Sequence, residues 1–274
     1  MMPKADRKAA APLVLALVFV LTMFSLASFR AVAQTEVSES GPLSEEQVPA
    51  AIKAALDAAG RPAADKALDA GRRPDQVMAF LGIKPGMRVA DLYAGAGYTT
   101  EILARVVGPK GKVYSQNAPF EPRFKRFEDA WHNRLKSSQL SNVVAVTAPF
   151  DADHLLPVAP GSLDAVVINL NYHDLVWRGV NRDRFNASVF KYLKPGGVYG
   201  IIDSSAQSGS GVRDVKTLHR IDEQFLVKEV EKAGFRLAAA SSVLRHPEDD
   251  RTWVVFQHRG RQDRFLLKFV KPQN

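Results

Sequence analysis

The sequence predicts an α/β fold in three layers, a mostly parallel sheet with helices on both faces. Three observations carry this. Short apolar runs alternate with helix-period stretches from residue 74 onward. Hydrophobic residues make up 46% of the 274-residue chain, enough for one sizeable core. A glycine turn joins the first strand of this alternation to a helix, reading Asp-Leu-Tyr-Ala-Gly-Ala-Gly-Tyr-Thr-Thr over residues 91–100. A strand, a tight turn and a helix N-terminus together present backbone N–H groups to a ligand.

At the N-terminus Lys4, Arg7 and Lys8 form a basic flank. Residues 9–29 are almost uninterrupted apolar sequence, and Ala31-Val32-Ala33 offers an A-x-A cleavage site before Gln34. Residues 1–33 therefore read as an export signal that delivers a periplasmic protein. The apolar run is long enough to span a bilayer, so an inner-membrane anchor with the domain outside the cytoplasm is the alternative. Residues 34–73 read as a linker and N-terminal helices. Ser44 and Gln47 have capping-box spacing, and Val48, Ile52 and Leu56 recur on one helical face. Gly60 to Pro62 and Gly71 to Pro74 break two helices, and residues 75–81 form a third that feeds the first strand.

Residues 74–274 form the main domain. Strands are expected at 87–90, 111–115, 143–147, 162–167, 198–203, 237–244 and 264–271, with helices at 101–107, 122–136, 182–193 and 222–233 between them. Phe124, Phe127, Trp131 and Leu135 fall on one face of the 122–136 helix, and this face is expected to pack on the sheet. No internal repeat is present.

The glycine turn carries the chemistry. Gly95 and Gly97 lack a Cβ, so the chain can turn tightly and a ligand can approach the backbone. Asp91 stands on the strand four residues before Gly95. A dinucleotide fingerprint would place a third glycine where Thr100 stands and an acid about 20 residues on, and the chain has neither. A carboxylate beside a glycine turn suits a ligand carrying both an ammonium and a carboxylate, such as the methionine end of S-adenosylmethionine.

With Gly111-Lys112-Val113-Tyr114-Ser115, Asp151-Ala152, Leu156-Pro157, Ser162-Leu163-Asp164-Ala165-Val166-Val167, Leu193-Lys194-Pro195-Gly196-Gly197 and Ala233-Gly234-Phe235 in the same order, the chain resembles the class I S-adenosylmethionine-dependent methyltransferases. The resemblance runs from about residue 74 to 272. It implies a Rossmann-like methyltransferase fold of seven strands, the last antiparallel, and S-adenosylmethionine as cofactor. Leu218-His219-Arg220-Ile221-Asp222, Asp249-Asp250 and residues 263–269 add a narrower resemblance to exported bacterial methyltransferases.

The expected cofactor-binding residues are Asp91, Tyr93, Gly95, Gly97, Gln116, Asn117, Asp151 and Asn169. The chain departs from the family at the end of the second strand, where an acid usually takes the ribose hydroxyls and this chain has Ser115-Gln116-Asn117. Tyr172, His173 and Asp174 follow the fourth strand. In this fold ligands sit outside the carboxyl ends of strands, so these three are the expected catalytic residues, with His173 a possible base. A histidine that merely caps the next turn is the competing reading. Asp203, His219 and Arg220 flank a Gly/Ser-rich loop that is either a lid or a passive connection. Asp151, Asp153 and His154 are read as a solvated loop rather than a metal site, and no metal is expected.

The chain has no cysteine, which excludes disulfides, a thiolate nucleophile and a lipoprotein anchor. The net charge is +8, and about +5 without residues 1–33, with acids and bases interspersed. No basic stripe for nucleic acid is read from it. The expected partner is a small-molecule substrate, with membrane contact only through an uncleaved N-terminal segment. A non-catalytic binding module that keeps the fold is the rival reading.

Overall fold

The computed structural model describes Val37 and residues 39–273. Residues 1–33, read from the sequence as an export signal or anchor, lie outside the described residues. Among those described, no helix is long and apolar enough to cross a membrane.

The elements follow in the order β1 (Glu39–Ser40), α1 (Ala50–Asp57), α2 (Ala63–Arg72), α3 (Pro74–Leu81), β2 (Arg88–Leu92), α4 (Tyr98–Val107), β3 (Lys112–Asn117), α5 (Lys125–Leu135), β4 (Val143–Thr147), β5 (Leu163–Asn169), α6 (Tyr172–Trp177), α7 (Arg182–Tyr192), β6 (Leu193–Ser204), α8 (Val215–Leu218), α9 (Glu223–Lys232), β7 (Arg236–Ser241) and β8 (Arg264–Val270). The sheet order is β1-β7-β8-β6-β5-β2-β3-β4. β8 runs antiparallel to β6 and β7, and the other pairs are parallel. The seven expected strands are β2 to β8.

Side chains alternate between two cores, as the pleat requires. Ala90, Leu92, Val166, Ile168, Phe265, Leu267 and Phe269 join one cluster with Phe185, Val189, Leu226 and Val230 of α7 and α9. Val89, Ala165, Val167 and Leu266 join the other with Ile52, Leu81, Ile102 and Leu103 of α1, α3 and α4. Both faces are covered, so β5 reads as a continuous apolar run.

Four local features differ from the sequence reading. The 34–43 linker contributes β1, whose Glu39 and Ser40 pair with Ala240 and Ser241. Backbone pairing by a two-residue edge strand leaves no mark in composition. The capping box starts a single 3₁₀ turn, Glu45–Gln47, with the Ser44 N–H donating to Gln47 Oε1 at 2.8 Å. The Lys194 to Gly197 turn is drawn into β6, where Gly196 has φ 75° and the pairing with β5 is irregular, Leu163 facing Leu193 and Ala165 facing Val198. The aromatic face of α5 packs on the glycine turn rather than the sheet: Trp131 is buried over Gly97, while Phe127 is 37% exposed.

β2, β3 and β4 progress to one side, and β5 and β6 restart on the other side of β2. The switch point therefore lies between the carboxyl ends of β2 and β5, where an open α/β sheet leaves a crevice.

Candidate active site

The glycine turn spans this crevice. Gly95 and Gly97 have φ of 58° and 83°, left-handed conformations that favour glycine. Their open sides differ. A Cβ on Gly95 would meet nothing within 4 Å, so that backbone faces free space. A Cβ on Gly97 would lie 2.5 Å from the Trp131 ring and 2.9 Å from Arg134. The backbone at Gly95 is thus open to approach, and Gly97 is small so that α5 can close behind the turn.

The end of β3 holds the turn in place. Gly95 N–H donates to Asn117 Oδ1 at 2.8 Å, and Asn117 Nδ2 donates back to the Gly95 carbonyl at 3.1 Å. Gln116 Oε1 accepts from Tyr93 N–H at 3.3 Å, and its Nε2 donates to the Ala148 carbonyl at 2.7 Å. Both amides are buried and spent on backbone, an arrangement a carboxylate, which only accepts, could not make. The two residues expected to meet a ribose thus brace the glycine turn.

Asp91 also faces inward. It is 1% exposed, and Thr100 Oγ1 donates to its Oδ2 at 2.5 Å while lying 2.8 Å from Ser115 Oγ. Burial pushes the Asp91 carboxyl up to about 7, opposed by the hydrogen bonds from Thr100. Asp91 therefore pins the start of α4 to β2 and β3 through one of its two carboxylate oxygens. Thr100, read in the sequence only as a missing glycine, is its partner. Asn169 at the end of β5 donates to Thr99 Oγ1 at 3.1 Å, and Asn171 donates to the Tyr93 carbonyl at 2.7 Å, tying β5 to the same turn.

The opposite wall comes from loops far apart in sequence. A cleft of about 230 Å³ is lined by Tyr93, Glu121, Arg123, Phe124, Asp174, Trp177 and Arg178. Arg178 spans it, donating from Nε to Tyr93 Oη and from Nη1 to Glu121 Oε1, both at 2.7 Å. Of these residues the sequence singled out Tyr93 and Asp174 as site residues. The rest carry no local signal beyond following a strand.

Behind the cleft His173 is 5% exposed. Its Nδ1 lies 2.7 Å from Asp203 Oδ1, and its backbone N–H donates to Asp203 Oδ2 at 2.8 Å. Its Nε2 lies 3.4 Å from both Asp174 Oδ1 and His219 Nδ1. Burial works to lower the His173 pKa, but the Asp203 and Asp174 carboxylates outweigh it and hold the imidazole above its ordinary value. The side chain that reaches the cleft is thus Asp174, with His173 behind it. Tyr172 does not belong to the site: it is fully buried, accepting from Asn186 Nδ2 at 2.8 Å and donating to Glu229 Oε2 at 2.9 Å. The alternation of a helix turn puts Tyr172 and His173 on different faces of α6.

His219 sits at φ 55°, and Tyr93 and Leu170 beside the same crevice have φ of 57° and 62°. Such backbone persists in non-glycine residues only where the surroundings enforce it. Around His219 they do. Arg220, fully buried, pairs with Asp249 at 2.8 Å, stacks over Trp253 and donates to the Ser205 carbonyl. Asp249 accepts from the Asp263 N–H, and Asp263 pairs with Arg251 at 2.7 Å. The separate 218–222, 249–250 and 263–269 segments thus converge on one network that fixes His219.

Asp151 accepts from the Asn181 N–H at 3.3 Å, and Asp153 pairs with Arg184, both in partly solvated settings. These two carboxylates and His154 do not form a metal-ligating cluster among the described residues.

Comparison with known proteins agrees with this architecture. The family model for protein-L-isoaspartate(D-aspartate) O-methyltransferase matches residues 63–152, the stretch holding the glycine turn. The chain is 23% identical over 185 residues to the ubiquinone/menaquinone biosynthesis C-methyltransferase UbiE of Haemophilus ducreyi, covering 65% of this chain and 66% of that protein. It is 25% identical over 182 residues to UbiE of Salmonella arizonae, covering 65% and 68%. The chain thus spans about two thirds of the length of these relatives. Among solved structures, a SAM-dependent methyltransferase from Aquifex aeolicus superposes with a TM-score of 0.53 at 22% identity, over 77% of this chain and 98% of that one. The [4+2]-cyclase SpnF superposes with a TM-score of 0.54 at 18% identity, over 80% and 85%. The order of the sheet, the glycine turn at its switch point and these matches agree on the fold of the class I S-adenosylmethionine-dependent methyltransferases, to which the chain is similar.

Proposed function

We propose that the protein transfers a methyl group from S-adenosylmethionine to a small acceptor held in the cleft between Tyr93, Phe124, Trp177 and Arg178. The observation that carries this is the open backbone at Gly95, set at the switch point and beside the N-terminus of α4. A cofactor fits there because no Cβ stands in its way and the left-handed turn of Gly95 and Gly97 leads directly into the N-terminus of α4. When bound, it supplies an electrophilic methyl. The chain supplies position: the turn, braced by Asn117 and Asn171, orients the donor, and the facing cleft orients the acceptor, which is where such rate gains largely arise.

The acceptor class follows from the lining. Three aromatic rings and the Arg178 guanidinium suit a small planar molecule with a polar substituent. The UbiE relatives, named for C-methylation in quinone biosynthesis, agree in kind. Of the two carboxylates that line the cleft, Glu121 is paired with Arg178 and Arg123, which leaves Asp174 as the group placed to take a proton from the acceptor. A non-catalytic module is the second reading. It is favoured by the loss of the ribose-binding acid and by the commitment of Gln116 and Asn117 to the loop. Calorimetric titration with S-adenosylmethionine and S-adenosylhomocysteine separates the two, and absence of binding to either removes the enzyme reading.

The N-terminal segment supports export to the periplasm, with an uncleaved inner-membrane anchor as the alternative. Mass spectrometry of the native protein distinguishes a chain starting at Gln34 from a full-length one. A full-length cytoplasmic protein would exclude both.

A further inference from the structure

His173, Asp174 and His219 bring three ligand atoms together beside the cleft, and among the described residues no lysine or arginine pairs with the carboxylates there. Asp174 Oδ1 and His173 Nε2 are 3.4 Å apart, His173 Nε2 and His219 Nδ1 3.4 Å, and His219 Nδ1 and Asp174 Oδ1 3.8 Å. Asp174 Oδ1 is buried without a hydrogen-bond partner. Among the described residues, the cationic groups within 4.0 Å of Asp174 and Asp203 are these two histidines alone, with no lysine or arginine. Two carboxylates in such a place need either two imidazolium protons or a bound dication.

We propose that His173 Nε2, Asp174 Oδ1 and His219 Nδ1 form a site for a divalent transition-metal ion of the zinc type. A tetrahedral ion with bonds of about 2.1 Å requires ligand-to-ligand edges of about 3.4 Å, and the observed edges match that with little movement. The supporting contacts are those of a ligating histidine. Asp203 accepts from His173 Nδ1, which fixes the tautomer with its lone pair on Nε2. His219 is held edge-on to Trp177 and against Phe256, on a left-handed backbone that the Arg220–Asp249 pair enforces. Two imidazoles and one carboxylate select zinc, iron, cobalt or manganese over magnesium or calcium, which prefer all-oxygen sets. Three protein ligands leave a fourth position open, and Asp174 and Trp177 also line the cleft, so that position faces the acceptor. There the ion would bind an acceptor oxygen or nitrogen and lower its pKa. This last role rests on the methyl-transfer reading. The site itself does not.

The test is metal uptake by the full chain, which is independent of cofactor binding. Protein freed of metal by a chelator is titrated calorimetrically with Zn²⁺, with Mg²⁺ as the oxygen-preferring control. Co²⁺ is added separately to read the visible absorption of a tetrahedral site. The expected result is one Zn²⁺ per chain, no comparable Mg²⁺ binding and a tetrahedral Co²⁺ spectrum. Asp174→Asn and His219→Asn should each abolish both signals. Asparagine is chosen at 219 because it tolerates the left-handed backbone. Asp203→Asn should weaken binding about 10–100-fold through its effect on His173. Circular dichroism checks that each variant is folded, and if the His219 variant is not, wild type and Asp174→Asn suffice. The proposal is overturned if wild type takes up no Zn²⁺, or if uptake survives Asp174→Asn, or if it is lost instead in His154→Ala.

Discussion

The two walls of the cleft are built on different principles. On the glycine-turn wall, Asp91, Thr100, Ser115 and Asn117 lie within one strand–helix–strand unit and brace one another through short, neutral or singly charged hydrogen bonds. On the facing wall, Asp174, Asp203, His219 and Asp249 come from four segments, and the wall is held by buried charges. A wall made locally is set by its own turn chemistry. A wall made from distant segments depends on a network whose members each fail when one is removed.

The largest effect is therefore expected on the facing wall. Asp249→Ala leaves Arg220 buried without its counter-ion, which should cost about 3–5 kcal/mol of stability in denaturant unfolding. A loss under about 1 kcal/mol would mean the remaining carbonyl contacts of Arg220 carry the wall, and the comparison would break. On the other wall, Gly97→Val should cost about 2–4 kcal/mol, from left-handed strain and from collision with Trp131. The measurement is again the unfolding midpoint. An effect on ligand affinity with unchanged stability would return Gly97 to the ligand surface.

Asn117→Asp replaces a donor to the Gly95 carbonyl with a second acceptor at a buried position. It should cost about 1–3 kcal/mol and lower cofactor affinity in calorimetry, although it restores the family's usual charge. Tighter binding would show that the loop yields to the ribose. Asp91 gives a pH signature. Its folded pKa of about 7 lies above the unfolded value near 4, so its contribution is fully present below about pH 4 and is lost as pH rises toward 7, by up to about 1.4 kcal/mol per pH unit. Midpoints across this range should fall more steeply for wild type than for Asp91→Asn, which keeps the bond from Thr100. Equal slopes would mean the carboxyl is already ionised in the folded state. The smallest effect on stability, about 1 kcal/mol, is expected for Gly95→Ala, where a methyl enters open space on a left-handed backbone. Its effect on S-adenosylmethionine affinity should still be tenfold or more, and an unchanged affinity would move the cofactor away from the turn.

The sequence by itself determined what is local or periodic. The alternation of apolar runs set β2 to β8 and their covering helices, because burial on both faces imposes a continuous apolar composition. The glycine turn was legible because a left-handed backbone and a close approach leave few residues to choose from. The tertiary structure decided which way the polar side chains point. Asp91 turned inward to Thr100, Gln116 and Asn117 turned to the loop, and Tyr172 turned into the core, because a buried polar group takes whatever partner the packing supplies. It also decided which distant residues meet. His173 and His219 are 46 residues apart and touch because β5, β6 and the 205–263 loops end at one edge of the sheet, a proximity that no spacing along the chain encodes.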